Sequence, residues 1–235
     1  MWESSVNGQT LTFHLAGINN QNFIMRDEET GSWWQQITGE AIQGPLKGQR
    51  LRPVAHDELT FGLWKKEQPG GRVLQPVAAI QQSGQYATAD WEAEVGKMPV
   101  RITARLDGAL EPRALVVGVT RNGQAKAYPL AALQQQSPLL DTLGGSPVLL
   151  LAGDDKKSVR AFDRTLDGRT LEFYRKPDAV PLQLIDDATG SVWDFTGRAT
   201  DGPLKGRALE KINILHDYWF DWKTYHPQTM VYQLR

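Results

Sequence analysis

Apolar and polar positions alternate in short runs along most of this chain, the period of half-buried β-strands. Asn7-Gly8 precedes Leu11 and Phe13, and Asp167-Gly168 precedes Leu171 and Phe173, each a turn leading into an alternating run. Residues 23–34 (FIMRDEETGSWW) and 182–193 (LQLIDDATGSVW) each read as a strand, an acidic Thr-Gly turn and a second strand. Residues 115–119 and 124–128 form a hairpin pattern around Asn122-Gly123. Residues 130–143 read as one irregular helix interrupted at Pro138, 148–151 as a buried strand, and 158–162 as another strand. Aromatic residues mark two short helices, one at Trp64 and one at Trp219 and Trp222. A proline-containing break and a last strand follow each, at 72–75 and 230–234. Between the halves, Val100, Ile102, Ala104 and Leu106 alternate as in a strand.

These elements come in the same order twice. From Thr30 to Leu51 and from Thr189 to Leu209, with Ile37 skipped, 13 of 21 aligned positions are identical, which identifies a duplicated domain. The expected architecture is mainly β (α+β): two tandem β-rich units of similar plan, each closed by a short aromatic helix. The first unit spans 1–76 and is N-terminally shortened. A connector containing a strand spans 77–112, and the complete second unit spans 113–235. Met1 aligns inside a strand of the second unit, so the chain is expected to begin part-way through a longer gene product.

Charge narrows the partners. Lys and Arg number 26 against 27 Asp and Glu, without the basic excess that nucleic acid demands and without a polybasic segment for a membrane surface. No apolar run approaches the roughly 20 residues of a membrane span, and the start MWESSVNGQTLTF lacks the pattern of a signal peptide. Cysteine is absent, which removes disulfides, thiolate metal sites and cysteine nucleophiles.

Gly44-Pro45-Leu46-Lys47-Gly48 and its copy at 202–206 read as tight turns. Their spacing resembles a phosphate loop, but proline stands where lysine is required. Trp34 and Trp193 hold the same repeat position and read as core anchors. Trp33, opposite Val192, faces the other way and can either stack on a ligand or cover an interface. The four histidines, His14, His56, His216 and His226, show no metal-binding spacing, and no cofactor motif occurs. His56-Asp57 and His216-Asp217 each precede a closing helix; a His-Asp pair can serve as a general base with its orienting carboxylate, although Asp217 reads more readily as a helix cap. No nucleophile elbow occurs. Carboxylates such as Asp27, Glu40, Asp186 and Asp221 are plentiful, and without a fold they cannot be paired as acid and base.

NGQTLTF, the stretch GINNQNFIMRDEETGSWWQQITGEAIQGPLKG and the tryptophan-bearing helix together resemble a bacterial domain-of-unknown-function family. That family carries a Cys-Pro-Leu-Cys segment ahead of a signature ending in Gly-Pro-Leu-x-Gly. Asn20, Arg26, Asp27, Trp34, Gln36, Gly39 and Ala41 fall on the pattern. The cysteines do not: in the second unit LLLAGDDKK stands in their place, so no thiol chemistry carries over. The resemblance implies a periplasmic or extracellular location and assigns no reaction. The expected function is non-catalytic binding or scaffolding of an unknown small molecule, glycan or protein. The alternative is a hydrolase acting on a glycan or other polymer, with its site near the first unit or between the units. Candidate catalytic residues are His56, His216 and Glu40; candidate ligand-binding residues are Asn20, Asn22, Arg26, Trp33 and Gln36.

Overall fold

A computed structural model describes residues 1–84 and 86–234. The protein is mainly β. Four four-stranded sheets, two two-stranded hairpins and five short helices occur among the described residues. Two of the sheets are meanders built on the repeated signature. The first runs Phe13–Asn19, Asn22–Asp27, Trp33–Gln35, Glu40–Gln43, and the second Phe173–Arg175, Gln183–Asp186, Val192–Asp194, Ala199–Asp201. A third sheet orders Glu210–Ile212, Val159–Asp163, Ser146–Ala152 and Leu139–Leu143. The fourth places Ile214–Tyr218 at its edge beside Leu115–Arg121, then Gln124–Pro129 and Met230–Val231, the last joining in parallel.

The two signature segments share one local structure. In each, a buried aspartate accepts the indole N–H of the buried tryptophan: Trp34 Nε1 to Asp27 at 2.8 Å and Trp193 Nε1 to Asp186 at 2.9 Å. Thr30 and Thr189 donate to the same carboxylates, and Ser32 and Ser191 close the bracket. Phe13 meets Trp34 edge-on at 5.7 Å, and Phe173 meets Trp193 edge-on at 5.6 Å. Burial works against the Asp27 carboxylate, yet the Trp34 and Thr30 bonds hold its pKa below the usual range. The Gly-Pro turns behave as turns. Gly44 and Gly202 have positive φ, and a Cβ on either would lie 2.7 Å from the backbone of Ser32 or Ser191, so only glycine fits.

The apolar run at 148–152 is continuous because its strand is covered on both faces. Val148, Leu150 and Ala152 enter a core with Val117, Tyr128 and Leu133, while Leu149 and Leu151 enter a second core with Phe173, Leu184 and Trp193. Trp219 and Trp222 lay the C-terminal helix Trp219–Tyr225 onto the outer face of the fourth sheet, against Val116 and Ala127. A smaller core around Trp34, Ala41 and Leu51 serves the first meander.

Several elements differ from expectation. Residues 130–143 split into a helix, Leu130–Gln135, and a strand, Leu139–Leu143. Pro138 lacks the N–H a continuing helix needs, and the chain beyond it pairs with Ser146–Ala152 instead. The alternating residues at 100–106 and the segment 72–75 form no strand, since neither finds a neighbouring strand to pair with. The connector instead carries two short helices, Ala78–Gln82 and Trp91–Val95. Asp217 caps nothing: the helix N-cap is Tyr218, with no side-chain capping bond.

The two closing helices tie the halves together. Phe61–Glu67 sits on the C-terminal half, with Leu59 and Leu63 packed on the core around Trp193. Thr60 bonds Ser158 and Asp155, and the buried Arg160 bonds both Asp57 and Glu67. Reciprocally, Trp219–Tyr225 reaches the first meander: Asn22 donates to Asp221 at 3.0 Å, and the Tyr225 hydroxyl to the Asn19 carbonyl at 3.0 Å. The site lies at this second junction.

Candidate functional site

A cleft of about 830 Å³ runs along the strand Ile214–Tyr218, between it and residues of the first half. One wall is the continuous stretch from Lys211 to Asp217; facing it stand Trp2, Asn22, Gln36, His56 and Glu58. Asp221 and Trp222 of the C-terminal helix and its C-cap His226 complete the lining.

A strongly shifted carboxyl lies beside this helix. Asp217 is the penultimate residue of the strand and Asp221 lies in the first helical turn, which brings the two carboxyl groups into hydrogen-bonding contact. Burial pushes the Asp217 carboxyl up to about 8, and the neighbouring Asp221 charge adds to the shift. Burial also raises Asp221, while Asn22 opposes it by donating a hydrogen bond. Two carboxylates this close in a poorly solvated place cannot both ionise cheaply, so near neutrality the pair holds one proton. Asn22 is fixed by Gln35, whose Nε2 donates to its Oδ1 at 2.7 Å. Tyr225 is raised by burial and by the Asp221 charge.

His216 and His56 meet through Glu58. The His216 backbone N–H donates to Glu58 Oε2 at 2.7 Å, and His56 Nε2 lies 3.6 Å from Glu58 Oε1. His56 Nδ1 lies 2.9 Å from the Val54 carbonyl, which favours the tautomer protonated there. Burial lowers the pKa of His216 against the pull of Glu58. It also lowers that of His226, whose ring stacks on Trp222 at 3.7 Å. His216 Nε2 is buried without a protein partner, and Asp217 Oδ2 and Asp221 Oδ1, buried and accepting from no other donor, are left to share the proton of the pair.

Of the residues singled out from sequence, His56, His216, Asn22 and Gln36 line the cleft. The other four stand outside its lining. Glu40 is ion-paired with exposed Arg50. Asn20 makes the turn between Phe13–Asn19 and Asn22–Asp27 and accepts from Thr103 at 2.8 Å. The Arg26 guanidinium lies over the Trp33 ring at 5.9 Å, so these two cover each other. Sequence reasoning passed over Asp217 as a cap and Asp221 as one carboxylate among many. The available signal was Asp221 itself, a charge inside the aromatic helix segment WFDW. Among the described residues, no group of three or more His, Asp or Glu side chains is placed to hold a metal ion, and no helix is long and apolar enough to cross a membrane.

A mainly β chain with a polar cleft at the junction of its halves is thus the class the structure defines. The model of a family described as a protein of unknown function, DUF3179, matches residues 1–229, and the chain belongs to that family. No curated protein and no solved structure matches it.

Proposed function

We propose that this is an exported, duplicated binding protein that holds a polar ligand, a small molecule or glycan, in the cleft between its halves. The carrying observation is the cleft itself, which gathers Asn22, Gln36, His56 and Glu58 from the first half against His216, Asp217 and Asp221 from the second. Hydrogen-bond donors and acceptors converging on one cleft suit a polar ligand with complementary atoms. The volume is in the range of ligand sites, and sites concentrate where domains meet. The exported location is supported by the resemblance of the signature. A thermal-shift panel of oligosaccharides and small polar metabolites tests the reading. A binder should raise the melting temperature with concentration, and Asp221→Asn should abolish the rise. A panel without binders, or a rise unchanged in that variant, refutes it.

One observation favours a second reading, hydrolysis of a glycan or other polymer. A carboxyl pair holding one proton supplies an acid and a base side by side. Release of reducing ends from a polysaccharide, lost in Asp217→Asn, would establish it; turnover unchanged in that variant would exclude this pair.

A further inference from the structure

The signature occurs twice, and its two meanders are covered differently. In the second, Leu182 and Leu184 are buried, and the strand Ser146–Ala152 brings Leu149 and Leu151 into the same core. That strand pairs with Val159–Asp163, Leu149 opposite Phe162. The matching positions of the first meander are Phe23 and Met25. Phe23 is 49% exposed, against 2% for Leu182. Its cross-strand partner Ile18 is 67% exposed, and Leu15, opposite Met25, is 60% exposed. Cross-strand partners share a face, so these four residues form one apolar strip. Beside it runs the segment that stands for Val159–Asp163. Trp2 bridges Pro53 as Phe162 pairs with Lys211. The Trp2 ring fills the space a Cβ on Gly39 would need, as the Phe162 ring does at Gly197. In the second half the other side of this segment is paired by Ser146–Ala152; at Trp2 no strand among the described residues takes that place.

We infer that this strip, with the unpaired edge at Trp2, docks an extended β-strand of a partner polypeptide, apolar at alternate positions as Ser146–Ala152 is at Leu149 and Leu151. Main-chain bonds to the edge hold such a strand, and every second side chain reaches the strip. The second half specifies the occupant, because there a strand of that pattern already fills the matching place. A second copy of this chain offers no such strand: its own Ser146–Ala152 lies between two strands of its sheet and is covered on both faces. An apolar strip beside an unpaired edge is an aggregation hazard when left open. This surface is separate from the cleft, and the inference does not depend on what the cleft binds.

The test is fluorescence anisotropy of a labelled peptide of residues 145–157, titrated with the whole protein. The peptide carries the strand and the charged tail DDKK, which keeps it soluble. Saturable binding is expected. Leu149→Asp or Leu151→Asp in the peptide should weaken it at least about tenfold, the loss of one buried leucine contact. Leu150→Asp, on the opposite face of the strand, should change it less than about twofold. In the protein, Phe23→Asp should weaken binding at least about tenfold, and Leu15→Asp decides if that variant fails to fold. No saturable binding, or equal losses from Leu149→Asp and Leu150→Asp, overturns the inference. A dimer in light scattering that Phe23→Asp dissociates also overturns it, by placing a second copy on the strip. So does native protein whose intact mass includes residues ahead of Met1 and which binds no peptide, since the strand then belongs to the same chain.

Discussion

Asp217→Asn should make the protein more stable at neutral pH. In the unfolded chain this carboxyl ionises near 3.8, whereas in the folded protein it holds its proton up to about 8. A folded-state pKa raised in this way contributes stability that is complete below the unfolded value and is lost as pH rises towards the folded one. At about 1.4 kcal/mol per unit, the loss between about pH 4 and pH 7 has a ceiling of about 4 kcal/mol. Sharing of the proton with Asp221 brings the expected figure nearer to about 2 kcal/mol. The amide removes this loss without disturbing the site. Its oxygen replaces Asp217 Oδ1 as acceptor of the Tyr218 N–H at 2.7 Å, and its NH₂ donates to Asp221 where the shared proton did. Urea unfolding at several pH values between about 4 and 8 measures it. The wild type should lose stability across that window relative to the variant, and the variant should melt several degrees higher near pH 7.5. A variant that is less stable there, or that shows the same pH dependence, refutes the proton-holding pair.

Two further predictions concern the framework. Trp34→Phe and Trp193→Phe should be destabilising by similar amounts, about 2 kcal/mol each, because each strips an indole donor from a buried carboxylate. Chemical denaturation of the two single variants checks this, and a loss at one position only would show that the two brackets are not equivalent. Arg160→Ala should cost about 3–5 kcal/mol, leaving Asp57 and Glu67 without the guanidinium that both grip. Limited proteolysis should then cut sooner around residues 68–76, as the helix Phe61–Glu67 loosens from the C-terminal half.

The repeat was legible because its cause is local. Thr30, Ser32, Trp34 and the Gly-Pro turn act within about twenty residues of one another, and each has its counterpart at the same spacing near Trp193. Strand or helix was harder wherever the deciding partner lay outside the segment. Nothing near residues 139–143 says that Ser146–Ala152 will accept them as a strand, and nothing near 100–106 says that no strand will. His56, His216, Asn22 and Gln36 carried enough chemistry to be named beforehand, whereas the pairing of Asp217 with Asp221 did not.

Sequence alone determined the β-rich plan, the twice-occurring signature with its glycine turns and the buried tryptophans, since hydrophobic period and backbone restriction act between near neighbours. Tertiary structure decided the site. Burial raises Asp221 where its helix meets the first meander, whose Asn22 bonds it from 199 positions away along the chain, and Glu58 reaches His216 across 158. Desolvation and proton sharing depend on distances through space, and those are set by how the two halves pack.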